Sequence, residues 1–258
     1  VSIITITSDY GLDSTYQAIL VGNIYARIPE AKVVYLHNHI EKFNLVQAAF
    51  VLKTNTVFFP EGTWHFICVD CNIIKYKQVL VVEYNRQFYV GVDNGIFSLL
   101  FNIGATKVYK IMLPEFNKSL FAENDFFIPA AAHYFKNKNL KGIAQPGTIK
   151  NIKQNIEPTQ QGKILRGIVM YIDGFGNAIT NISKDLFYRH VGSKQFLIYY
   201  SRKFSINQIS EHFGNQAPSE EIALFNSAGY LQICVVEGSA HQLMGLKYNS
   251  PIMIEKND

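Results

Sequence analysis

A carboxylate, a phenyl ring and a carboxamide fall within the five residues Asp173-Gly174-Phe175-Gly176-Asn177. The apolar run Gly167-Ile168-Val169-Met170-Tyr171 before them reads as a buried strand, so they form a tight turn at its end. Such a turn could hold a zwitterionic, aromatic small molecule. The carboxylate would take an amine, the ring would stack, and the amide would meet the edge of a heterocycle. A plain hairpin explains the same residues, because Gly and Asn accept positive φ and Asp caps turns.

Other polar groups sit where strands should end. Ser8-Asp9-Tyr10-Gly11 follows the first predicted strand; an acid there could bind ribose hydroxyls or cap the next helix. Phe43, in the loop after the second strand, could wall a pocket or staple a helix start. Asp70 ends a third strand, and Gly91-Val92-Asp93-Asn94-Gly95-Ile96 reads as a strand-to-helix turn. Ser119-Leu120-Phe121-Ala122-Glu123-Asn124-Asp125 precedes a helix and contains capping residues. A second polar turn, Asn226-Ser227-Ala228-Gly229-Tyr230, shares the C-terminal half with Asp173. Acids and amides at several strand ends of one sheet converge on one edge.

The elements that must position these groups change character along the chain. Up to about residue 135, strands (3–7, 31–36, 63–69, 78–84, 87–92) alternate with helices (15–28, 45–54, 96–102, 126–135), which predicts an α/β layered sheet. Residues 71–74 do not read as a helix start. A polar stretch over about 137–160 resembles a linker. Short strands then follow (162–172, 195–200, 221–226, 230–236, 251–254), as in a small β-barrel or sandwich. The expected division is an N-terminal α/β domain over 1–150 and a C-terminal β domain over 160–258.

With 258 residues, 48% apolar and 17% charged, the chain has ample core for two domains. A net charge of +4 is mild, and Lys136, Lys138, Lys141, Lys150 and Lys153 form only a loose cluster, which argues against nucleic-acid binding. No apolar run reaches the roughly 20 residues that span a membrane. Cys68-Val69-Asp70-Cys71 has a C-x-x-C spacing, but Cys234 is alone, so neither a zinc ribbon nor a thioredoxin-like pair is expected. No metal site is expected. Three cysteines, and a start that reads as a strand without a basic n-region, lead to the expectation of a reducing, cytoplasmic setting.

In order, the chain carries S-D-Y-G at Ser8, E-G-T-W-H-F at Glu61, V-D at Asp70, D-N-G at Asp93 and D-x-F-x-P at Asp125, then I-D-G-F-G-N-x-I-T-N-I and N-S-x-G-Y-L-x-I. This ordered set resembles the S-adenosylmethionine hydroxide adenosyltransferases, relatives of the nucleophilic fluorinase and chlorinase enzymes. The resemblance implies homotrimers with active sites at subunit interfaces and no cofactor besides the S-adenosylmethionine substrate. It implies that Asp9 holds the ribose hydroxyls and that Phe43 and Phe121 wall the ribose. Asp173 and Ser227 would hold the methionine amine and carboxylate. Phe175, Asn177 and the backbone near Val235 and Glu237 would meet adenine, and Asn94 and Tyr230 fall in further substrate-binding motifs. The implied reaction is attack of water on the ribose 5′ carbon, releasing adenosine and L-methionine.

The sequence departs from that pattern beside the water. The hydrolytic branch uses an Asp–Arg–His set in D-P-G-V-G-T-x-R-R and F-H-G-R-D. Here the acid is Asp70, the Arg position falls on Lys77 by count, with Lys75 as the alternative cation, and the His position is Ala122. Lys keeps the charge without the planar fork. Glu123 stands beside Ala122, and burial near Asp70 would suit it to act as a base. The expected catalytic set is therefore Asp70, Lys77 and Glu123. The alternatives are a protein that binds S-adenosylmethionine or adenosine with little turnover, and transfer to another nucleophile such as halide.

Overall fold

The computed structural model describes residues 2–112, 119–201, 204–214 and 216–257. The chain forms two compact units, Val1–Asn155 and Ile156–Asp258. The first runs β1 (Ser2–Ser8), α1 (Thr15–Arg27), β2 (Ala31–His37), α2 (Leu45–Asn55), β3 (Trp64–Cys68), α3 (Ile73–Tyr76), β4 (Val79–Tyr84), β5 (Gln87–Val92), α4 (Ile96–Leu100), β6 (Lys107–Ile111), α5 (Ile128–Asn137) and β7 (Ala144–Pro146).

Helix starts are set by side chains that accept otherwise unpaired N–H groups. Ser14 accepts from the Tyr16 N–H at the start of α1, and Asn44 from the Gln47 N–H at α2. The strands β3 and β5 are buried at every residue, as expected of central strands covered on both faces. Seven strands form one sheet in the order β2-β1-β3-β5-β4-β6-β7. The pairs β1–β2, β1–β3 and β3–β5 are parallel. Because β2 and β3 flank β1 on opposite sides, the chain reverses direction across the sheet there. The carboxyl ends of β1 and β3 therefore border the crevice where open α/β sheets bind ligands.

Two expectations change. Asn72 caps a helical turn, α3, by accepting from the Lys75 N–H at 2.9 Å, so the segment after Asp70 doubles back instead of running on as a loop. The stretch expected as a linker is fastened to the first unit as far as Asn155. There β7 pairs with β6. The buried Asp93 Oδ2 also accepts from Gln78 Nε2, Lys150 N–H and Asn151 N–H at 2.6, 2.9 and 3.2 Å.

The second unit runs β8 (Thr159–Gln161), β9 (Ile164–Ile172), β10 (Ala178–Ser183), α6 (Lys184–Val191), β11 (Phe196–Tyr199), β12 (Ser205–Ile206), β13 (Glu221–Phe225), β14 (Tyr230–Val235), α7 (Ala240–Leu243) and β15 (Pro251–Lys256). Its antiparallel sheet has the order β12-β11-β15-β9-β10-β14-β13, with β8 on β9. The two ends approach one another, and the Ser210 N–H donates to the Ala223 carbonyl at 2.8 Å. The result is a nearly closed barrel around Leu165, Val169, Phe187, Ile198, Ile233 and Ile254. No helix among the described residues is long and apolar enough to cross a membrane.

His65 lies buried in β3 with Thr5 Oγ1 2.7 Å from its Nδ1, and Nε2 has no partner among the described residues. Burial pushes its pKa down to about 4, so the unfolded chain binds this proton more readily than the folded one. Its contribution to stability is therefore complete above about pH 6.5 and falls as pH drops toward 4. The loss has a ceiling of about 3 kcal/mol. Urea unfolding at pH 7, 5.5 and 4.5 should show a shallower pH dependence for His65→Gln than for wild type. Equal slopes would contradict this assignment.

Candidate functional site

One oxygen joins the ends of β1 and β3 to the loop after β2. Asp9 Oδ2, one residue past β1, accepts the Asp70 N–H at 3.2 Å and the Phe43 N–H at 3.0 Å. The Asp9 N–H in turn donates to the Cys68 carbonyl at 3.2 Å. Asp9 Oδ1 has no hydrogen bond among the described residues, leaving an acceptor for a vicinal diol at the sheet's crevice. Asp70 and Phe43 both take left-handed backbone, φ 50° and 65°, which non-glycine residues adopt at a cost unless their surroundings hold them.

Asp70 is held from every side. Asn94 Nδ2 donates to the Val69 and Asp70 carbonyls at 2.8 and 3.2 Å, and Asn94 Oδ1 accepts the Ile96 N–H at 3.1 Å. Asn94 is thus buried with both Nδ2 donors engaged, and it positions the backbone of Asp70. The Tyr76 hydroxyl donates to Asp70 Oδ2 at 2.5 Å. Lys77, the expected cation, ends α3 in left-handed backbone at φ 61°. Its exposed ammonium makes no hydrogen bond or ion pair among the described residues. The single turn of α3 brings residue 76, not 77, onto Asp70.

Glu123 is enclosed. It is 3% exposed, and its Oε1 accepts from the Tyr10 hydroxyl at 2.5 Å. Burial raises its pKa against the opposing pull of that bond and of the Cys71 thiol. Expected as a base at the water, it is held here in a buried polar link with Tyr10. Ala122 is 2% exposed and packs in the core. Phe121 meets Tyr16 edge-on at 5.2 Å and Tyr10 at 6.3 Å, giving an aromatic wall beside Asp9. Phe43 is 68% exposed.

In the second unit, the 173–177 turn closes on its own carboxylate. Asp173 Oδ1 accepts the Phe175 and Asn177 N–H groups at 2.9 Å each, and Oδ2 accepts Asn177 Nδ2 at 2.9 Å. Asp173, Phe175 and Asn177 line a cavity of about 760 Å³ with Gln232, Val235 and Glu237, a size suited to a nucleoside-like ligand. Phe175 stands 82% exposed. Five residues expected at one site (Asp173, Phe175, Asn177, Val235 and Glu237) are thereby brought together.

Ser227 and Tyr230 are not. Strands β10 and β14 run antiparallel with Ala178 opposite Ile233 and Ser183 opposite Tyr230. The turn holding Ser227 therefore lies at the amino end of β14, and the Asp173 turn at its carboxyl end, roughly 15 Å away at about 3.3 Å per residue. Within one copy of the chain they do not meet. The Ser227 turn closes on Asn226 Oδ1, which accepts from the Ala228 and Tyr230 N–H groups. Sequence reasoning also missed Phe213 and Gly214, which line the cavity, and Tyr76. An Asn72 N-cap was the signal that could have placed Tyr76 beside Asp70; Phe213 lies in irregular chain with no periodicity to mark it.

Comparison with known proteins gives a consistent result. Models of the SAM hydroxide adenosyltransferase N-terminal and C-terminal domains match residues 4–144 and 167–253. A protein of Methanocaldococcus jannaschii named (R)-S-adenosyl-L-methionine hydrolase is 28% identical, covering 98% of this chain and 95% of its own. A protein of the same name from Thermus thermophilus is 27% identical, with 96% and 97% coverage. The crystal structure of a conserved protein from Thermotoga maritima superposes with a TM-score of 0.87 at 26% identity, covering 98% of this chain and 99% of that one.

The turn around Asp173 makes opposite demands on its two glycines. Gly176 has φ +83°, and a Cβ there would lie 2.0 Å from Ser239 Oγ, whereas one at Gly174 would meet nothing within 4 Å. Gly176→Ala should cost about 2 kcal/mol or more. Gly174→Ala should change stability by less than about 0.5 kcal/mol. Thermal melts of the two variants check the contrast, and equal costs would contradict the geometry.

Proposed function

The chain belongs to the SAM hydroxide adenosyltransferase family, and we propose that it hydrolyses S-adenosyl-L-methionine to adenosine and L-methionine. Water attacks the ribose 5′ carbon, forming the C5′–O bond as the C5′–S bond breaks. The bonding pair leaves on sulfur as the thioether of methionine, and the water's surplus proton passes through Asp70 to solvent. A sulfonium is already a good leaving group, so no acid and no cofactor are needed. The protein's task is to align the water with the C5′–S bond and to strip it of bulk solvent.

The observation that carries this reading is the Asp9–Asp70 join. A free Asp9 oxygen for the ribose diol is linked through one hydrogen bond to a carboxylate held in a fixed direction. Adenine is assigned to the cavity at Phe175, Asn177 and Val235. Halide transfer is disfavoured, since the carboxylates of Asp9 and Asp70 repel an anionic nucleophile. A homotrimer is part of the proposal and is supported by the exposure of Phe43 and Phe175, which a subunit interface would cover. So is a cytoplasmic setting, supported by three free cysteines.

Incubation with S-adenosylmethionine, supplied as each sulfonium epimer because the relatives' names specify R, should give adenosine and methionine in equal amounts by chromatography. Asp70→Ala should lower the rate about 100-fold or more, within the range of a lost proton-handling group. Adenosine formation that persists in Asp70→Ala contradicts the mechanism. Tight binding without product points to an adenosine-binding protein, and a chlorinated nucleoside formed in added chloride points to halide transfer.

Phe175→Ala should weaken adenosine binding about tenfold or more, the usual loss when a stacking ring is removed. Calorimetric titration with adenosine measures it, and an unchanged affinity would remove Phe175 from the adenine site.

A further inference from the structure

The residues at the family's Arg and His positions make no polar contact with Asp70 among the described residues: Lys77 forms no hydrogen bond or ion pair, and Ala122 is buried and apolar. Two neighbours occupy the place instead. The Tyr76 hydroxyl lies 2.5 Å from Asp70 Oδ2, and Lys75 Nζ lies 4.5 Å from the centroid of the Tyr76 ring. Local structure fixes both. Asn72 caps α3, Ile73 anchors it in the core, and its one turn folds residues 75 and 76 back over the strand end.

We propose that Tyr76 is the residue that positions Asp70 for hydrolysis, and that Lys75 acts through Tyr76, the two together standing in for the missing arginine and histidine. The inference rests on the hydrolysis reading and deepens it. The phenol saturates Oδ2 and leaves Oδ1 to accept from the attacking water, so the carboxylate cannot rotate away from the line of attack. Lys75 puts a positive charge against the ring face, which draws the phenolic proton off only weakly against burial and the Asp70 carboxylate, and it holds the ring in place. Burial, and then the bond to Asp70, keep the Tyr76 proton on above the usual phenol range. Tyr76 therefore remains a donor throughout the neutral range. A group that merely caps the helix would matter for folding alone; a group that orients Asp70 must also change kcat while leaving KM in place.

Three proteins decide the matter: wild type, Tyr76→Phe and Lys75→Met, each assayed for adenosine release from S-adenosylmethionine between pH 4 and 9, with thermal melts alongside. Tyr76→Phe should lower kcat about 10- to 100-fold with KM within about twofold, the pattern of a lost alignment rather than lost binding. Lys75→Met should lower kcat in the same direction by about 3- to 10-fold. An active wild type with kcat within twofold in Tyr76→Phe overturns the inference and leaves the hydrolysis reading standing. If Tyr76→Phe does not fold, an unaltered kcat in Lys75→Met overturns it. An inactive wild type overturns the hydrolysis reading itself, and this inference with it.

Discussion

The left-handed backbone of Asp70 is the constraint on which the rest depends. An aspartate at φ 50° is held there only because its surroundings leave it no other position. Asp9 takes its N–H, Asn94 takes its carbonyl and Tyr76 takes one carboxylate oxygen. Each partner comes from a different element: the end of β1, the turn after β5 and the last residue of α3. The sheet order that places β1, β3 and β5 side by side makes that convergence possible. Loss of any one tie would free the carboxylate to swing, and alignment is what the proposed reaction requires of it.

The electrostatics suit a cationic substrate. Asp9 and Asp70 lie at one strand-end crevice, and Asp173 lines a cavity in the second unit, so each recognition surface offers negative charge to a molecule that carries a sulfonium and an ammonium. Glu123 is buried rather than exposed at the crevice. Its carboxyl ends on the Tyr10 hydroxyl, and Tyr10 meets Phe121 edge-on and Tyr16 at a tilt. A buried acid thus stiffens an aromatic wall next to Asp9. Its cost is lessened by a hydrogen bond rather than by a counter-charge.

Much of this was legible in the sequence, and the pattern of what was not is physical. Strands β1, β2, β4 and β5 stand out by period and by β-branched residues, and Asp9, Asp70, Phe175 and Asn177 stand out because strand-end acids and polar turns have few other uses. Counting along the motif leaves the cation at Lys77 or Lys75 and says nothing of the path between them, which the Asn72 cap turns into a helical turn that sets Lys75 over the Tyr76 ring. Glu123 looked like a base because its chemistry fits one; only the packing of Tyr10 and Cys71 around it shows it enclosed. The separation of Ser227 from Asp173 follows from antiparallel register, which no motif encodes. The anchoring of residues 144–155 on the first unit depends on Asp93, whose partners are remote in sequence.

The most direct test of the central claim follows the oxygen. Hydrolysis of S-adenosylmethionine in ¹⁸O-labelled water, with both products analysed by mass spectrometry, reports which bond forms. Attack at the 5′ carbon, as the Asp9–Asp70 arrangement requires, places one heavy oxygen in adenosine and none in methionine. Label in the amino-acid product, or methylthioadenosine in place of adenosine, would show that the carboxylate at Asp70 is not aimed at the 5′ carbon.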